Sequence, residues 1–172
     1  LRQKLNPKEL ALILFHATKN AKDALYGNPS EARRIIESHI QKWTDKVTRQ
    51  KEGFSHFTFT HMLHAFRELD LRPPERFLSF ILEKSEGELK DYNALNLVST
   101  LDSLARLGID PGKKYLVKAA ERLPHVVPSM TTAEAFETLY AIGLLDAIGE
   151  HHHGNKRFPL GGIYNALLKN QI

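Results

Sequence analysis

Three groups of side chains in this sequence stand at spacings that could do chemistry. His61 and His64 lie three residues apart, and His151, His152 and His153 form a triplet between Gly149 and Gly154. Two imidazoles on one helical face are half of a zinc site. No cysteine or carboxylate nearby completes a known ligand spacing, so the reading is no metal and no cofactor, with the triplet in a solvated loop. Lys114, Lys118 and Arg122 recur every four residues beside Lys113, while Arg34, Lys42, Lys46 and Arg49 enrich an earlier segment. Cations at helical spacing supply the salt-dependent, sequence-independent part of nucleic-acid affinity. They serve equally as a solvated face, and Glu31, Glu37 and Asp45 dilute the earlier cluster. The third group consists of short polar side chains, Asn96, Ser99 and Ser103, with Thr58 and His61 upstream. Such groups can approach the edges of unstacked bases, or simply face water on any exposed helix.

Catalysis has less to stand on. The sequence contains no GxxxxGK[ST] phosphate loop, no GxGxxG, no GxSxG elbow and no HExxH. Its carboxylates are scattered and assign no nucleophile, base and stabiliser, so a non-enzymatic protein is expected. With no cysteine, disulfides, thiolate zinc sites and a cysteine nucleophile all drop out together. The net charge of +4 leans toward an acidic partner such as RNA or a ribonucleoprotein surface. The longest apolar run, Leu10 to Phe15, is far below the roughly 20 residues of a spanning helix, so no membrane partner is expected. Leu1 in place of methionine reads as the start of a processed or partial chain, and no targeting segment is visible from which to assign a compartment.

The elements that must position these groups are helices. Hydrophobic periodicity near 3.6 residues recurs throughout, and brief period-2 alternation over His56 to Thr60 can equally begin a helix. Asn6-Pro7, Asn28-Pro29 and Asp110-Pro111 each place a capping side chain before a proline at a first helical position. Glu9, Glu31 and the pair Thr131/Glu134 add capping-box spacing. These signals predict eight helices over 7–24, 29–49, 56–70, 73–86, 91–108, 111–123, 131–148 and 159–170. Connections at Gly53, Pro73-Pro74, Gly87, Gly108, Pro124 and Pro128 are short, which favours antiparallel hairpins over 7–49, 56–86, 91–123 and 131–170.

Those hairpins repeat. At an offset of 38, which sets Pro73 on Pro111, Phe59 falls on Leu97, Leu63 on Leu101, Phe66 on Leu104, Leu71 on Ile109 and Phe77 on Tyr115. At an offset of 35, Leu104, Leu107, Gly108 and Ile109 fall on Leu139, Ile142, Gly143 and Leu144. Two amphipathic helices cannot bury their stripes alone, and stacking removes them from water. The expected fold class is therefore all-α, an α-solenoid of about four stacked hairpins within a single domain over 1–172; a non-repetitive helical bundle is the alternative. Gly108 and Gly143 should each end a first helix. Leu97, Leu101 and Leu104 form the buried stripe, which puts Asn96, Ser99 and Ser103 on the opposite face, with Thr58, His61 and Ala65 or Thr131, Glu134 and Thr138 as their equivalents. Phe59, Phe66, Phe77, Tyr115 and Phe136 fall on core positions, so base stacking is not expected of them.

The strings LDSLARLGIDP (101–111), AFRELDLRPP (65–74) and LYAIGLLDA (139–147) resemble the helical repeats of octotricopeptide, FAST-kinase-like and RAP-domain organellar RNA-binding proteins. The resemblance spans Phe57 to Ile148 and rests on an L-x-x-L-G-hydrophobic-x-P ending; of the octotricopeptide proline-glutamate signature only Pro73-Pro74-Glu75 is present, and no terminal RAP domain is visible. It implies a right-handed-type solenoid and a mitochondrial ribonucleoprotein subunit acting in RNA processing, editing or stability, or as a mitochondrial ribosome component, with RNA and other protein subunits as partners. The alternative is a protein–protein scaffold of the HEAT or tetratricopeptide class, using the same surface for a helix or an extended peptide.

Overall fold

The computed structural model of the chain describes residues 6–23, 29–50 and 53–153. Among them the only regular structure is helical: α1 (Pro7–Asp23), α2 (Pro29–Thr48), α3 (His56–Glu68), α4 (Glu75–Glu88), α5 (Ala94–Arg106), α6 (Lys113–Val126) and α7 (Thr132–His153), with short 3-10 turns at Leu89–Asp91 and Val127–Ser129. The expected helix at 159–170 and the cap Asn28 lie outside the described residues. The chain divides into two compact units, Leu1–Lys84 and Ser85–Ile172. In the first, α1 packs on both α2 and α3; in the second, α5 packs chiefly on α7.

The repeat has a single register of 38 residues. Helices α3 and α5 both have 13 residues, α4 and α6 both have 14, and each pair starts 38 residues apart, as do the two 3-10 turns. The caps keep step. The Ser55 N–H donates to Thr58 Oγ1 (2.8 Å), Asn93 Oδ1 accepts from the Asn96 N–H (2.9 Å), and Thr131 exchanges bonds with Glu134 (2.7 and 3.2 Å). Each satisfies a backbone N–H at the start of a first helix that has no partner within it. Four core registers then run through all three first helices: Phe59/Leu97/Ala135, Met62/Thr100/Thr138, Ala65/Ser103/Ala141 and Phe66/Leu104/Ile142, all buried.

The turn between helices is also duplicated. Leu71 N–H donates to the Phe66 carbonyl and Ile109 N–H to the Leu104 carbonyl, both at 2.9 Å, while Asp70 and Gly108 donate to Arg67 and Ala105 at 3.0 and 3.1 Å. Asp70 and Gly108 hold φ of +50° and +64°. This is a Schellman closure, with the left-handed residue at its C′ position and buried Leu71 and Ile109 beyond it. Glycine adopts that backbone without a Cβ penalty, and aspartate is among the few other residues that tolerate it.

Several boundaries differ from the sequence reading. Asp110-Pro111 does not cap α6: Asp110 Oδ1 instead accepts from Gly112 N–H (2.8 Å) in a local turn, and the helix begins at Lys113. Helix α6 runs through Pro124 to Val126. The 35-residue offset fails, because Gly143 lies inside α7, which continues to His153 and takes the histidine triplet out of a loop. At 38 residues the equivalents of Pro73 and Pro111 fall on Gly149, so no proline stops the helix there.

Leu104 is fully buried at the repeat's central register. Leu104→Ala is expected to cost about 2–5 kcal/mol in denaturant unfolding. A Cβ at Gly108 meets nothing within 4 Å, so Gly108→Ala should cost only the left-handed backbone term, about 1–2 kcal/mol.

Candidate nucleic-acid interface

The charged groups and the short polar groups part company in the structure. Helix α6 starts at Gly112 without a side-chain cap and has no acidic residue in its first turn; Lys113 and Lys114 follow immediately. The positive end of a helix dipole is there reinforced by two lysines. Lys114 and Lys118 each reach Glu86 Oε1 at 2.8 Å, and the two ammonium groups hold that carboxyl below its ordinary value of 4.5, chiefly through their hydrogen bonds. Arg122 Nε donates to the Tyr92 carbonyl at 2.8 Å, which orients its guanidinium along the same side of α6. A cleft of about 380 Å³ lies beside them, lined by Lys90, Lys118, Arg122 and His125 together with Glu86 and Glu121. Lys113 and most of Lys114 stay exposed. One end of the cation row is thus open to solvent and the other is fixed. In the other unit, Arg34, Lys42, Lys46 and Arg49 are all exposed on α2 or just beyond its end.

The expected base-facing row does not form. Thr58, Asn96 and Ser103 are buried; of that group only His61 is exposed, and Ser99 is half-buried. Thr58 and Ser103 turn their hydroxyls back to the carbonyls of Ser55 (2.8 Å) and Ser99 (2.6 Å), the usual way a hydroxyl is accommodated inside a helix packing face. Among the described residues the Asn96 Nδ2 is buried without a hydrogen-bond partner. The cause is that α5 is buried around most of its circumference, Ala94, Asn96 to Val98 and Thr100 to Ala105 included, so polarity does not mark exposure. What remains open on α5 is a narrow strip at Leu95, Ser99 and Arg106. Its 38-residue equivalents are Phe57 and His61 on α3, and Ala133, Glu137 and Leu144 on α7. Phe136 departs from its expected core position and is 67% exposed, close in sequence to Tyr140, over whose ring Arg106 sits at 5.7 Å. The other four aromatics, Phe59, Phe66, Phe77 and Tyr115, are buried as expected, and burial pushes the Tyr115 hydroxyl up to about 12.

His61 and His64 are engaged locally, Nδ1 of the first with the Phe57 carbonyl (2.6 Å) and Nδ1 of the second with Arg67 (2.9 Å). Among the described residues no group of three or more His, Cys, Asp or Glu could hold a metal ion, and no helix is long and apolar enough to cross a membrane. Glu86 escaped the sequence reading because nothing local to it signals its lysine partners, which arrive from 28 and 32 residues downstream.

Comparison with protein families, with curated proteins and with solved structures finds no match for this chain.

A carboxylate whose folded value is depressed lends stability above its unfolded value and loses it as pH falls through the folded one. Followed by carboxyl carbon NMR, Glu86 should titrate below 4.5, and the Lys114→Ala/Lys118→Ala double variant should move it back toward the ordinary value.

Proposed function

We propose that this chain is a non-enzymatic helical-repeat subunit of a mitochondrial ribonucleoprotein, its hairpins stacked as an α-solenoid, and that it holds RNA by the phosphate backbone rather than by reading bases. The observation that carries the reading is the cationic edge of α6: an uncapped helix start followed by the exposed Lys113, with Lys114, Lys118 and Arg122 along one side. Phosphate oxygens suit that edge, because they accept from ammonium and guanidinium groups without demanding a particular base. Glu86 holds two of the lysines in place and lowers their net charge, which favours moderate affinity over tight capture. The burial of Thr58, Asn96 and Ser103 withdraws the groups that would have discriminated between sequences. The organellar location and the roles in RNA processing, editing, stability or ribosome structure follow from the resemblance of the 65–74, 101–111 and 139–147 strings to organellar repeat proteins.

The test is fluorescence anisotropy with unstructured single-stranded RNAs of different sequence across a salt series. Replacing Lys113 and Lys114 by Ala should weaken all of them alike and flatten the slope of log affinity against log salt by about 0.7 per lost contact. Binding that is absent, or a slope unchanged in the variant, would remove RNA from α6 and leave the protein-scaffold reading in its place.

A further inference from the structure

The first unit carries a surface that the RNA reading does not use. Between α1 and α3 runs a groove of about 470 Å³, lined by Ala11, Leu12 and Phe15 from one helix and by Phe57, Thr58 and His61 from the other, with Lys8 and Ser55 at its edge. Its large apolar side chains are open to water: Leu12 is 56% exposed, Phe15 43% and Phe57 50%. Single exposed leucines are ordinary, whereas two phenylalanines and a leucine lining one concavity are the mark of a surface that is covered in use.

We propose that this groove docks an amphipathic helix of a partner protein, and that the helix presents acidic residues beside its apolar anchors. The dimensions fit. Lys8 to Phe15 is seven helical steps of α1, about 10 Å at the helical rise, which matches the span of anchors at i, i+3 or i+4 and i+7 on an incoming helix. The charge is one-sided. Lys8 and His61 are the ionisable groups lining the groove. His56 and His16 adjoin the lining residues Phe57 and Phe15 in sequence without lining the groove themselves. Among the described residues no carboxylate lines the groove: Glu9 caps α1 through the Asn6 N–H (2.8 Å), and Glu68, at the far end of α3, pairs with Arg67 (2.6 Å). His61 donates its Nδ1–H to the Phe57 carbonyl, which leaves the Lys8 ammonium as the donor on the lining that can meet an incoming carboxylate. A groove lined by apolar side chains and the Lys8 ammonium, with no carboxylate on its lining, selects an acidic partner by complementarity and disfavours a basic one by repulsion.

A library of 14-residue helical peptides tests the assignment, with Leu or Phe fixed at i, i+3 and i+7 and the flanking positions drawn from Glu, Gln and Lys. The full chain should retain a pool enriched in Glu. Phe57→Ala should weaken the recovered peptides by about tenfold or more, as expected for an aromatic anchor. Lys8→Glu, an exposed change that leaves helical circular dichroism intact, should abolish the Glu preference. The proposal is overturned if no peptide is retained, if the pool is neutral or basic, or if Phe57→Ala changes nothing. It is equally overturned if sedimentation shows a dimer of this chain that Phe57→Glu dissociates. Since α6 belongs to the other unit, none of these results bears on the RNA salt slope.

Discussion

The left-handed residue at the end of α3 and of α5 is the constraint on which each hairpin depends. At Asp70 and Gly108 the backbone turns just far enough for the next amide, Leu71 or Ile109, to reach back to a carbonyl five residues earlier. That bond satisfies an end-of-helix acceptor and at the same time drops an apolar side chain into the core. Helices α4 and α6 then begin five residues after the turn, at Glu75 and Lys113, so their apolar stripes arrive in the same phase: Phe77 and Tyr115, Leu78 and Leu116, Ile81 and Ala119 are buried pairwise at 38 residues. The cation row of α6 inherits its orientation from this phase, because Lys114, Lys118 and Arg122 run along the edge of the face that buries Leu116, Ala119 and Leu123.

Where the constraint lapses, the structure changes accordingly. In the α7 region the position of Asp70 and Gly108 is taken by Asp146, but the proline that follows in the other two copies is replaced by Gly149. The helix continues for 22 residues in all and carries apolar groups around its circumference. A helix with no polar face gives no hint from its sequence of which side is buried. That is why Phe136 is exposed although its residue type argues for the core.

The same reasoning separates what could be read in the sequence from what could not. Core positions such as Phe59, Leu97, Phe66 and Leu104 were legible because apolar type, helical period and capping all agree at them. The caps at Asn6 and Thr131 were legible because their chemistry is local. The cationic edge of α6 was legible only as charge. Lys114, Lys118 and Arg122 do share one side of a helix, but their partner Glu86 is a tertiary contact. The base-facing residues failed because a helix buried on most sides holds small polar groups as filler: Thr58, Thr100, Ser103 and Thr138 are enclosed while Leu95 and Tyr140 face water. Helix period identifies one buried stripe, and says nothing of a second or third neighbour.

The central claim is that a 38-residue unit, from first-helix cap to first-helix cap, is the module of this chain. Its most direct measurement is urea unfolding of a chain in which residues 93–130 are copied once more after Met130, beside a control carrying a 35-residue copy. The 38-residue insertion should add helix in proportion to its length, unfold in one transition and raise the denaturant dependence, as an added repeat does. The 35-residue copy should lose cooperativity, since three missing residues leave every later apolar stripe about 60° out of phase with its neighbours. Equal behaviour of the two insertions, or loss of cooperative unfolding in the 38-residue one, would contradict it.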